Sequence, residues 1–116
     1  MIECMKMLFK PEHKQMILEG KKTATRRAWK RPMVKVGGIY KCKLKMLSKE
    51  YFAKIKVTEL YEQELGEMTD EDAEKEGYKD VEDFRNIWIK INGSWYGDRV
   101  VYVIEFKLVE KNLRSG

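Results

Sequence analysis

Gly37-Gly38-Ile39-Tyr40-Lys41-Cys42-Lys43-Leu44-Lys45-Met46 carries the sharpest structural signal in this chain of 116 residues. Tyr40, Cys42, Leu44 and Met46 alternate with Lys41, Lys43 and Lys45. A strand over residues 40–46 therefore has one apolar face and one lysine face. Residues 51–60 repeat the pattern, with Ala53, Ile55 and Val57 on one side and Lys54 and Lys56 on the other. The two segments predict an antiparallel pair joined across Ser48-Lys49-Glu50, with one face buried and one solvated. Beyond Gly97-Asp98, residues 99–109 predict a last strand with Tyr102, Ile104, Phe106 and Leu108 on one side. The short apolar stretch 1–8 predicts a first one.

Helical signals fill the gaps between these strands. Pro11 suits a first helical position and Gly20 the residue just past a helix end, with His13, Met16 and Ile17 on one face between them. Residues 21–35 follow as a polar, basic segment that Pro32 keeps from continuing as helix. Thr69 with Asp72 three residues later opens a short helix that Gly77 closes. Asp80 with Asp83 opens a longer one, with Val81, Phe84, Trp88 and Ile91 on one face until Asn92-Gly93-Ser94 breaks it. Strand, helix, several strands, two helices and a closing strand predict an α+β fold, a small, mostly antiparallel β-barrel with flanking short helices. Too few strands alternate with helices for a doubly wound sheet. Residues 1–116 read as a single domain.

Composition narrows the function. The net charge is +5, but it is unevenly distributed. Residues 21–56 hold 13 Lys/Arg and one acid, whereas residues 59–83 hold 12 acids and two lysines. Such blocks suit faces that meet charged partners, and a polyanion matches the basic one. A lysine-rich but merely solvated sheet, as in a heat-adapted protein, accounts for the same composition: 43 residues are charged and only five are Asn or Gln. Cys4 and Cys42 lie in no CxxC spacing and His13 is the only histidine. That excludes chemistry needing two histidines and leaves no ordinary zinc ligand set, so neither metal nor cofactor is expected. The longest apolar run, residues 100–104, is too short to span a bilayer, and the first residues do not read as a signal peptide. A reducing, cytoplasmic setting with no membrane contact is expected.

Gly20-Lys21-Lys22-Thr23-Ala24-Thr25-Arg26-Arg27 is where chemistry concentrates. It follows a helix and lacks the GxxxxGK[ST] spacing, so it is not a phosphate-binding P-loop. Lys21, Thr23, Arg26 and Arg27 suit an anion-binding loop through guanidinium forks and hydroxyls. An exposed basic loop that serves only solubility is the plain alternative. If the segment turns, Lys22 and Thr25 meet; if it is extended, they face opposite ways. Trp95 and Tyr96 sit in a glycine-flanked loop, where they either stack on bases or cap the end of the fold.

Phe9, Ile17-Leu18, and the pattern Gly20-x-Lys22-Thr23-x-Thr25-x-Arg27, followed by Val36-Gly37 leading into a strand, resemble the ASCH domain family, relatives of the PUA domains. The resemblance extends through the acidic helical stretch to the closing strand Val101-Tyr102-Val103-Ile104-Glu105-Phe106. It implies a PUA-like barrel and the handling of RNA or a modified nucleoside in a basic cleft. One branch of the family hydrolyses N4-acetylcytidine to cytidine and acetate with a Lys, a Thr and a Glu. By resemblance these fall on Lys22, Thr25 and Glu76, with Glu74 the alternative for the acid. Arg26 stands where that branch carries an aliphatic residue, a departure expected to turn the site from nucleoside toward phosphate. The resemblance thus implies an RNA- or modified-cytidine-binding domain. The alternatives are an N4-acetylcytidine amidohydrolase and a non-catalytic module whose acidic 59–83 face docks a basic protein.

Overall fold

A computed structural model describes residues 6–112. The elements are β1 (Lys6–Leu8), α1 (Pro11–Leu18), β2 (Ala24–Arg27), β3 (Ile39–Lys43), β4 (Ala53–Glu64), a 3-10 turn (Leu65–Glu67), α2 (Asp70–Lys75), α3 (Val81–Asn92) and β5 (Val100–Lys111). They form an α+β fold around a five-stranded sheet in the order β1-β3-β4-β5-β2. The part of the first predicted strand before Lys6 lies outside the described residues, as does Cys4.

The expected closed barrel is not what forms. β1 and β2 are the two edges and do not pair with each other, so the sheet is open. It is also mixed, because β1 runs parallel to β3, with Met7 opposite Cys42. The chain leaves β1 through α1 and β2 before it reaches β3, and a crossover of this kind returns a strand in the same direction. The other three pairings are antiparallel.

The lysine-striped strands form as expected at their centres. Tyr40, Cys42, Ala53, Ile55 and Val57 are buried in one apolar cluster, with Ile17 of α1, Ile104 and Phe106. β3 ends at Lys43, which leaves Met46 57% exposed. β4 extends to Glu64, past a register shift between Val57 and Glu59. That irregularity changes which residues face inward and breaks the alternation. β5 is buried on both faces over part of its length: Ile104 and Phe106 enter the first cluster, and Val101 a second one with Leu65, Phe84 and Trp88. β2 did not read as a strand because its burial does not alternate. Ala24, Thr25 and Arg26 are all buried in succession, so the sequence carries no period-2 stripe to detect.

The helix boundaries follow local chemistry closely. Thr69 and Asp72 form a reciprocal capping box at the start of α2, and Asp80 accepts from the Asp83 N–H at the start of α3. Gly20 takes a φ of 79° after α1, and the N–H groups of Lys21 and Lys22 both return to the Met16 carbonyl. Gly77, with a φ of 98°, turns the chain out of α2, and an added Cβ there would lie 2.6 Å from Met16 Sδ. This turn brings Glu76 and Tyr78 against α1 and the loop behind it. Gly77→Ala is expected to lower stability by roughly 1–2 kcal/mol, the cost of a left-handed conformation for a side chain with a Cβ. Urea denaturation checks it, and an unchanged midpoint refutes the role assigned to this turn.

Candidate functional site

The loop after α1, β2 and the C-terminal end of α2 come together through backbone bonds. The Thr23 N–H donates to the Lys75 carbonyl at 2.6 Å, and the Phe106 N–H donates to the Thr23 carbonyl at 2.9 Å. With its main chain held on both sides, the segment sends the Lys22 side chain inward, where it is 2% exposed. There Lys22 Nζ donates to Glu76 Oε1 at 2.8 Å and to the Glu76 carbonyl at 3.3 Å. Glu76, also 2% exposed, has its other oxygen occupied too: Arg26 Nη1 donates to Oε2 at 2.8 Å. The acid that meets Lys22 is thus Glu76; Glu74 lies along a shallow depression elsewhere.

Arg26 has further partners. Its Nη2 and Nε donate to Gln63 Oε1 at 2.8 and 3.2 Å, and Nη2 lies 3.6 Å from Asp72 Oδ2. Gln63 in turn donates to Asp72, the capping residue of α2. Arg26 is therefore bound to the protein's own acceptors on both sides. Arg27 differs: Nε donates to Thr25 Oγ1 at 3.2 Å, Nη2 to the Leu8 carbonyl at 2.7 Å, and the guanidinium lies 4.9 Å from the centre of the Phe9 ring.

These groups line one side of a cavity of about 400 Å³. Lys22, Thr25, Arg26, Arg27 and Glu76 all border it, and Phe84, Ile87 and Trp88 of α3 supply an apolar wall. Lys21 and Thr23 do not; they lie along the shallow depression beside α2, and Lys21 pairs with Glu19 at 3.2 Å. Trp95 and Tyr96 do not border the cavity either. Trp95 packs edge-on against Phe84 and Trp88, while Tyr96 is 61% exposed.

Two wall residues were not singled out from the sequence. His13 Nε2 and the Tyr78 hydroxyl are 2.6 Å apart, and both border the cavity. A lone histidine on a helix face carries no functional pattern, and Tyr78 could be found only by noticing that it follows the Glu76-Gly77 turn. Burial is also what sets the protonation of this site. Lys22 is pushed below the usual lysine value by burial, aided by Arg27 and Arg26 and opposed by Glu76. His13 is lowered to about 4, chiefly by burial and then by Lys22, so it is neutral at pH 7. Burial first and Glu76 second push the Tyr78 hydroxyl up to about 12.

The His13 shift gives a signed expectation. Between pH 6.5 and about 4 the unfolded chain takes up a proton that the folded chain refuses. The stability contributed is complete above pH 6.5 and is lost as the pH falls toward 4, by roughly 3 kcal/mol at most. Wild type and His13→Gln, compared by urea denaturation at pH 7 and pH 4, should differ in their acid sensitivity by an amount of this order. Equal acid losses refute it.

A family model described as ASCH domain matches residues 5–110. No curated protein is significantly similar to the sequence. Among solved structures, the hypothetical protein PH0355 is 22% identical, with 90% of this chain and 97% of that chain covered and a TM-score of 0.68. The ASCH domain from Lactobacillus crispatus JV V101 is 19% identical over 84% of this chain and 70% of its own, with a TM-score of 0.64. For ASCH from Zymomonas mobilis the identity is 12%, the coverage 92% and 71%, and the TM-score 0.63. At these identities the structures share a fold with this chain, and the family match spans nearly all of it. The chain belongs to the ASCH domain family.

Proposed function

We propose that this chain takes a modified cytidine, free or as one base extruded from RNA, into the cavity between α1, β2 and α3, and that it hydrolyses the N4-acetyl amide of that base to cytidine and acetate. The observation that carries this reading is the convergence of Lys22, Thr25 and Glu76 on one cavity, with Lys22 Nζ 2.8 Å from Glu76 although 54 positions separate them. A volume of about 400 Å³ lies within the range of roughly 300–1,000 Å³ usual for small-molecule sites. The apolar wall of Phe84, Ile87 and Trp88 suits the face of a planar base. A duplex has no way into such a space; a single extruded base does.

The chemistry runs through one proton path. Thr25 Oγ1 attacks the acetyl carbon as its proton passes to the Lys22 amine. Lysine is a base only when neutral, and burial with two neighbouring guanidinium groups works in that direction. Transfer of the Lys22 proton to Glu76 across their hydrogen bond creates the neutral amine and a carboxylic acid in one step. The acid then protonates N4 as the C–N bond breaks, leaving cytidine and an acetyl ester on Thr25. Water cleaves that ester to acetate and restores the hydroxyl. Arg26 holds the second oxygen of Glu76 and so keeps the first directed at Lys22.

A second reading, binding of an RNA strand along the sheet, draws on a different observation. Lys41 stands directly opposite Lys54, and Lys56 opposite Lys107, so like charges face each other across neighbouring strands on the solvated face. Such pairs are unfavourable. Lys41 and Lys54 are relieved by the Tyr51 ring and, for Lys54, by Glu110 at 3.7 Å, whereas Lys56 and Lys107 have no acidic partner among the described residues, and a phosphate backbone would supply one.

Incubation with N4-acetylcytidine is expected to release cytidine, and Thr25→Ala to abolish release while the folded state persists; Lys22→Ala is expected to abolish it too, with lower stability, and thermal melting checks that it is folded under the assay conditions. Binding without turnover removes the hydrolysis and leaves the nucleoside site; absence of both overturns the proposal. Affinity for single-stranded RNA is expected to fall with salt, with a log–log slope of roughly −0.7 per phosphate contacted. A flat slope removes the strand-binding reading.

A further inference from the structure

The polar end of the cavity does not balance its charges. Lys22, Arg26 and Arg27 bring three cations against Glu76 and Asp72. Both oxygens of Glu76 are taken, one by Lys22 and one by Arg26, and Asp72 lies against Arg26. Arg27 has no carboxylate partner among the described residues. Among the described residues the carboxylate whose charge acts on it is Glu76, already doubly bound. A guanidinium has five N–H donors, and Arg27 uses Nε and one proton of Nη2. Nη1 has no partner among the described residues, and Arg27 borders the cavity.

Its position is fixed before any ligand arrives. The Leu8 carbonyl holds one edge, Thr25 accepts from Nε at 3.2 Å, and the Phe9 ring supports one face at 4.9 Å. Burial lowers the affinity of the group for its proton, yet an arginine keeps its charge in proteins. An anchored cation, with unused donors one guanidinium width from a hydroxyl, has the geometry of a site for an oxygen that gains negative charge next to that hydroxyl.

We propose that Arg27 is the anion-holding residue of acyl transfer at Thr25, and that the cavity consequently binds a small carboxylate there. The assignment of the acyl step rests on the amidohydrolase reading above; the carboxylate site rests on the charge imbalance alone. When Thr25 Oγ1 bonds to the acyl carbon, the C=O π electron pair moves onto the oxygen and Arg27 N–H groups hold it. When the C–N bond breaks, that pair re-forms the carbonyl and N4 leaves with the proton from Glu76. After ester hydrolysis the acetate ion occupies the same donors, which makes acetate a product inhibitor.

Arg27→Met keeps length and apolar packing on Phe9 and removes the donors and charge; Arg27→Lys keeps the charge without the fork. Thermal melting of each variant comes first, and if Arg27→Met does not fold, Arg27→Lys carries the comparison. With N4-acetylcytidine, Arg27→Met is expected to lower kcat by about 10²–10³-fold with KM little changed, the range for losing an oxyanion donor. Arg27→Lys should fall between Arg27→Met and wild type. Separately, sodium acetate titrated into the protein should saturate NMR shifts of cavity residues in wild type and fail to do so in Arg27→Met. A folded Arg27→Met that keeps wild-type kcat, or that binds acetate as wild type does, overturns the proposal. If wild type does not hydrolyse the amide but binds acetate only with Arg27 present, the hydrolysis reading falls and the carboxylate site stands.

Discussion

One carboxylate shared by two buried cations organises this molecule. Glu76 closes α2, Lys22 lies in the loop behind α1, and Arg26 belongs to β2, so their two 2.8 Å bonds tie three parts of the chain together. Taking three charges out of water is costly, and the cost is offset only because each has a close partner of opposite sign. Removing one partner from such a group typically costs 3–5 kcal/mol, because it strands a charge in the interior. Gly77 makes the arrangement possible, since only a left-handed turn delivers Glu76 to this point while the next residue, Tyr78, reaches His13.

The same contact explains the segregation of charge along the sequence. The basic block and the acidic block do not simply form two faces turned toward outside partners. Part of each folds onto the other, through Lys22–Glu76, Arg26–Glu76 and Arg26–Asp72. What remains outward of the basic block is the lysine side of β3 and β4, where only Lys54 has an acidic neighbour, Glu110, at 3.7 Å among the described residues, together with exposed loop cations such as Lys30, Arg31 and Lys35. The positive charge of this block is therefore divided among a solvated sheet face, exposed loops and the inner wall of a cavity. Long-range attraction of a polyanion suits the first two, and short-range polarisation of a ligand atom suits the last.

Much of the architecture was legible because it obeys local rules. Alternation of lysine with apolar residues marks β3 and the first half of β4, where one face is wet and the other dry. Thr69, Asp72, Asp80 and Asp83 mark helix starts because their side chains satisfy main-chain N–H groups within three residues. β2 was not legible, since protein covers both of its faces and its polar residues are buried against distant partners. The open, mixed sheet was not legible either. Closure depends on whether the two edge strands reach each other, and no local pattern encodes that.

Of the site, residue chemistry marked the segment 20–27 as a dense cluster of donors and picked Lys21, Thr23, Arg26 and Arg27 from it, of which only the two arginines border the cavity; likeness to a family added Lys22, Thr25 and Glu76. By itself the sequence determined helix ends, the lysine-striped strands and the presence of a reactive segment, because each depends on neighbours within a few positions. Only the tertiary structure decided that Glu76 meets both Lys22 and Arg26, that Arg27, of the three cations at the cavity, lacks a carboxylate among the described residues, and that His13 and Tyr78 share the wall. Those facts depend on which side chains lose water together, and burial is a property of the folded whole.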